Sequence, residues 1–82
     1  MPVVLRIDGA RVVIFANDHA PAHVHVRAAE REAIVLLNCP DGPVSLRENN
    51  GFTTRELGRI YTALQAALGR LCAAWEEIDV QR

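Results

Sequence analysis

The sequence predicts an α+β fold: an antiparallel sheet of four or five strands, with one long or kinked C-terminal helix packed on one face. Three observations carry this expectation. Apolar and polar residues alternate with period two through the first half of the chain. An Asp8-Gly9 pair of the tight-hairpin type separates the first two of these runs. The second half switches to an apolar stripe of helical period, introduced by a complete capping box.

The elements follow in order. Val3, Leu5 and Ile7 alternate with Val4 and Arg6, which reads as a first strand. Residues 11–16 form a second, with Val12 and Ile14 on one face and Val13 and Phe15 on the other. Both faces are apolar, so this strand is expected to be central or covered on both sides. Asn17-Asp18-His19-Ala20-Pro21 is a loop by composition. Residues 23–27 divide sharply: Val24 and Val26 point one way, while His23, His25 and Arg27 point the other. Residues 33–37 form a fourth strand, Cys39-Pro40-Asp41-Gly42 a turn, and residues 44–46 a short fifth strand. Asn49-Asn50-Gly51 is expected to end the strands, which places the sheet within 1–48.

Thr53 suits the N-cap, and Glu56 three residues later completes the capping box. Phe52 and Leu57 occupy the positions of a hydrophobic staple. Leu57, Ile60, Tyr61, Leu64, Leu68, Leu71, Cys72, Trp75 and Ile78 continue one stripe, so residues 52–80 read as helical. A straight helix over 54–79 would be about 39 Å long. A domain of this size has a radius of gyration of only about 12 Å. The helix must therefore protrude, kink near Gly69, or serve a partner.

Composition bounds the function. The 82 residues allow a single domain, 1–82, with 50% hydrophobic and 23% charged residues, as in a folded globular chain. Nine basic against ten acidic residues give a formal charge of -1. That excludes a broadly basic nucleic-acid clamp and leaves room for a local basic patch. No apolar run approaches the roughly 20 residues of a membrane span, so no membrane partner is expected. No charged segment followed by an apolar one opens the chain, and a cytoplasmic location is expected. Cys39 and Cys72 form no CxxC pair, and in that compartment they are expected to be free thiols.

All three histidines, His19, His23 and His25, fall within seven positions. His23 and His25 share a strand face with Cα atoms roughly 6.6 Å apart, so their rings can converge on one atom or group. Asp18 is a carboxylate neighbour, and His19 is delivered by a Pro-stiffened loop. Three readings compete. The histidines perform acid–base chemistry near neutral pH, with Arg27 stabilising an anion. Or His19, His23, His25 and Asp18 hold a metal ion. Or the histidines are structural. Only two ligands are firmly placed, so no bound metal and no cofactor is expected. Arg55 and Arg59 share a helix face and read as solvated surface.

The segment from Met1-Pro2-Val3 to Asp8-Gly9, then Asn17-Asp18-His19 with Pro21-Ala22-His23-Val24-His25-Val26-Arg27, resembles the small bacterial family of domains of unknown function numbered 4160. Gly51-Phe52-Thr53, Arg55-Glu56-Leu57 and Ala74-Trp75-Glu76-Glu77 resemble the same family. The chain departs by Ala22 where a second proline is common, and by Ala28-Ala29 where a Gly-rich turn is usual. The resemblance implies a toxin-like component of a two-gene, toxin–antitoxin-type module. On that reading the protein is an endoribonuclease without metal: His23 and His25 act as acid and base, with His19 nearby, and Arg27 holds phosphate. The partners would be RNA and a cognate protein. The alternative is a non-enzymatic protein-binding module or a metal-binding protein. Apolar residues on both faces of the second strand, and the length of the helix, also predict a homodimer or hetero-complex that buries Phe15 or the helix end around Trp75 and Ile78.

Overall fold

The structure is a computed structural model that describes residues 3–80; Met1 and Pro2, which open the segment resembling the family, lie outside them. Five strands, β1 (Val3–Ile7), β2 (Ala10–Val13), β3 (His23–Ala28), β4 (Arg31–Leu36) and β5 (Ser45–Asn50), form one antiparallel sheet in chain order. Two helices follow, α1 (Thr54–Ala66) and α2 (Leu68–Val80). The α+β class is the one expected. The core is one cluster in which Val12, Ile14, Val24, Val26, Ala33, Val35 and Leu37 from the sheet side meet Ile60, Leu64, Leu68, Leu71 and Trp75 from the helices. The alternation in β3 thus sorts as the sequence implies, with Val24 and Val26 on the helix-covered face.

Three expectations need correction. The second strand stops at Val13, not at residue 16, because the Phe15 N–H turns away to the Asp18 carboxylate, 3.1 Å off. The fifth strand is longer than 44–46 and carries the sheet past residue 48. Asn49 and Asn50 lie within it as partners of Ala33 and Glu32, so they do not break it. The Asn49 side chain instead closes the turn that follows. Its Oδ1 accepts from the Phe52 N–H (3.1 Å) and its Nδ2 donates to the Phe52 carbonyl (3.0 Å). Gly51 occupies that turn at φ 104°, where a Cβ would lie 2.9 Å from Cγ of Arg31.

The helix kinks near Gly69, as expected: it is interrupted at Ala67, two residues earlier, while Gly69 itself sits in α2 facing open space. At Ala67 the backbone leaves helical angles (φ -103°, ψ 12°), and Leu64, Leu68, Leu71 and Trp75 on either side of it all pack on the core. The longest dimension is 34 Å and the radius of gyration 11.6 Å, so the bent helix fits where a straight one would have protruded. Trp75 is buried within the chain, whereas Phe15 is half-buried.

The third correction concerns the thiols. Cys39 and Cys72 are joined in a disulfide, with Cα atoms 5.9 Å apart. Their 33-residue separation carried no pairing signal, but folding lays the β4–β5 loop on the helix junction. Gln65 Oε1 accepts from the Val44 N–H there (2.9 Å). Gly42, at φ 74°, comes so near Leu68 that a Cβ would be 2.9 Å from its Cδ2. Among the described residues no helix is long and apolar enough to cross a membrane.

Candidate functional site

The face of the sheet opposite the helices carries the histidines. Neighbouring partners in an antiparallel pair share a face, and the register Val13↔His25↔Ile34 places His25 mid-sheet on that side. His23 lies one pleat earlier, where β3 begins, and its ring meets His25 at 5.3 Å and Trp75 of α2 at 5.2 Å. Asp18 is brought back over this end by a turn. Its N–H donates to the Phe15 carbonyl (3.0 Å), while its carboxylate accepts from the Phe15 N–H. Asp18, His23 and His25 each offer one donor atom, and the three atoms lie within 4.8 Å of one another.

Hydrogen bonds orient both rings. His23 Nδ1 is 2.8 Å from the Pro21 carbonyl, which accepts only, so this nitrogen carries the proton. His25 Nδ1 is 3.1 Å from Oε2 of Glu32 and is assigned a proton by the same reasoning. Both Nε2 atoms then face one carboxylate oxygen: Asp18 Oδ2 is 3.4 Å from His23 Nε2 and 3.3 Å from His25 Nε2. His25 Nε2 is closed off from solvent and makes no hydrogen bond among the described residues. The Phe15 ring meets the His25 ring in a T-shaped arrangement, with ring centroids 4.7 Å apart.

The site is more enclosed than an open groove. His23 is 7% exposed. Arg27 joins the same face, but its Nε goes to Glu32 Oε2 (3.2 Å) and its guanidinium lies over Phe15, 5.4 Å from the ring centroid. His19 is exposed, next to Asp18 in the chain but outside the three-donor group.

Glu32 was not singled out from the sequence. The signal was present: a two-residue loop at Ala29-Glu30 fixes the β3–β4 register, and that register puts Glu32 opposite Arg27 and diagonal to His25. Trp75 read as core, and it is; its contact with His23 joins α2 to the start of β3, a long-range pairing that local spacing does not show. Two helix arginines reach the sheet side, and Arg55 is exposed. Arg59 reaches Asp8 at 3.9 Å and Arg70 Nη2 donates to the Val4 carbonyl at 3.1 Å.

No curated protein and no solved structure matches the chain. The model of the family described as "Domain of unknown function (DUF4160)" matches residues 9–76, which span β2 to most of α2 and include every residue of the cluster. The chain belongs to that family.

Proposed function

We propose that this protein binds a divalent transition-metal ion, zinc above all, through Asp18 Oδ2, His23 Nε2 and His25 Nε2. The observation that carries the reading is the convergence of three possible ligand atoms on one point, with both Nδ1 positions already occupied. A histidine whose other ring nitrogen donates to a carbonyl or carboxylate is the usual ligand arrangement, because that bond fixes the tautomer and aims Nε2. Tetrahedral zinc with bonds of about 2.0–2.1 Å separates its ligand atoms by about 3.3–3.4 Å. The two N–O distances, 3.3 and 3.4 Å, match that edge. Two imidazoles with one carboxylate is a donor set suited to zinc and its first-row neighbours. The fourth position falls to water or another ligand, and His19 is the histidine next in sequence to the site.

The same side chains underlie the alternative proposal of a metal-independent, RNA-cleaving toxin component. Acid–base catalysis needs an Nε2 presented to substrate. The enclosure of His25 Nε2 favours the metal instead. Zinc titration into chelator-treated protein decides the matter. The sole tryptophan, Trp75, touches the His23 ring and reports binding by fluorescence. We expect one zinc per chain and a loss of at least 100-fold in affinity on His25→Ala. Absence of stoichiometric binding, or equal affinity in the variant, would remove the proposal.

A further inference from the structure

A second feature of the uncovered face lies one pleat along β3 from His25. The register pairs Arg6 with Arg11 across β1 and β2, and Arg11 with Arg27 across β2 and β3. Directly paired residues share a face, so three guanidinium side chains line up across three neighbouring strands. Strands lie about 4.8 Å apart, which gives the row a span of about 10 Å. Like charges placed directly opposite repel. Only one carboxylate continues the row: Glu32, paired with Arg27. Its Oε2 is shared between Arg27 Nε and His25 Nδ1, so it does not neutralise three cations. Arg6 and Arg11 are exposed and have no ion pair among the described residues. By contrast Arg31 is bound to Glu56 and Arg59 to Asp8.

We propose that the row Arg6–Arg11–Arg27 is a binding site for phosphoryl groups. A guanidinium presents a planar fork of donors that matches the oxygens of a phosphate, and two or three forks in line can hold successive phosphates. Arg27 is braced for this by Glu32 and by the Phe15 ring beneath it. A depression beside the row is lined by Arg11, Arg27 and Arg31 together with Ala29, Glu30 and Glu32. The chain as a whole carries a formal charge of -1. Attachment of a polyanion therefore has to be local to this row, since general attraction is lacking. The phosphates come either from a small oligophosphate or from the backbone of single-stranded RNA. The proposal stands on the arginines alone and does not rest on the metal reading.

The test uses the whole, chelator-treated chain, so a failure of zinc binding leaves it intact. Two probes are used: inorganic tripolyphosphate by calorimetry, and a labelled octameric oligouridylate by anisotropy. We expect at least one to bind at low salt, weakened about tenfold or more by Arg11→Ala and unchanged by Arg47→Ala on exposed β5. For the oligonucleotide, three phosphate contacts give log K a slope of about -2 against log salt, shallower by about 0.7 in Arg11→Ala. Arg11→Ala also removes a like-charge contact, so its melting temperature should not fall, which separates binding from folding. Binding of tripolyphosphate alone assigns a small ligand. Binding of the oligonucleotide alone assigns an RNA backbone. Binding of neither, or equal binding by wild type and Arg11→Ala, overturns the proposal.

Discussion

Ala29 is held in the left-handed region, at φ 52°, in the two-residue loop between β3 and β4. Two other non-glycine residues, Asp8 and Asn38, share this conformation at φ 53°. Their short polar side chains suit it because they can hydrogen-bond locally. Asn38 does so, with Nδ2 donating to the Pro43 carbonyl (2.8 Å) and to Ser45 Oγ (3.1 Å). Alanine has no such compensation and pays about 1–2 kcal/mol for its Cβ. Glycine would relieve that and lose part of the gain to unfolded-chain entropy. Ala29→Gly should therefore stabilise the protein by about 0.5–1 kcal/mol, read as a higher urea midpoint at unchanged slope. A lower midpoint would mean that the loop does not need the left-handed turn. The family resemblance already marks this spot, where the chain has Ala28-Ala29 in place of a Gly-rich turn. At the same scale, the shared face of His23 and His25 was legible from alternation. The tautomers were not, because the Pro21 carbonyl and Glu32 that set them act through backbone path and strand register.

The start of α1 is the element written most plainly in the chain. Thr53 Oγ1 accepts from the Glu56 N–H (3.1 Å), and Glu56 Oε1 accepts from the Thr53 N–H (2.9 Å). Phe52 and Leu57 both pack on the core, as the staple requires. All of this was readable because the interactions span only three to five residues. The end of the same helix was readable only to within two residues: the kink expected near Gly69 falls at Ala67. Strand β5 was misjudged because Asn49 and Asn50 look like turn residues until β4 supplies their partners. Thr53→Ala should cost about 1 kcal/mol.

The capping box also sets a pH dependence. The Thr53 N–H bond, then the Arg31 guanidinium, hold the Glu56 carboxyl below the ordinary glutamate value. A carboxyl lowered in the folded state stabilises it fully above the unfolded value. That contribution is lost as pH falls through the lowered folded value. Glu56→Gln keeps a cap acceptor but cannot titrate, so its stability should fall less on acidification than that of wild type. Parallel acid profiles for the two proteins would show that the carboxylate is not held there.

At the scale of the molecule, the helices are tied to the sheet by the loop between β4 and β5. Leu68 and Leu71 bury apolar surface against the sheet, and the Cys39–Cys72 disulfide locks the loop to α2. The bond closes a 33-residue separation. Loop-closure entropy for that length corresponds to about 3–4 kcal/mol of stabilisation through the unfolded chain. For 82 residues each kcal/mol moves the melting temperature by about 6 °C, so reduction should lower it by on the order of 20 °C. Cys72 stands one turn before Trp75, and Trp75 packs on the His23 ring. Reduction should therefore reach the cluster as well, shifting tryptophan emission before global unfolding. The comparison is wild type with and without a phosphine reductant, beside a Cys39→Ser/Cys72→Ser double variant. The double variant should match reduced wild type and ignore the reductant. If reductant leaves the wild-type melting temperature and emission unchanged, α2 is held by burial of Leu68, Leu71 and Trp75 alone, and the disulfide adds nothing to the frame that positions His23.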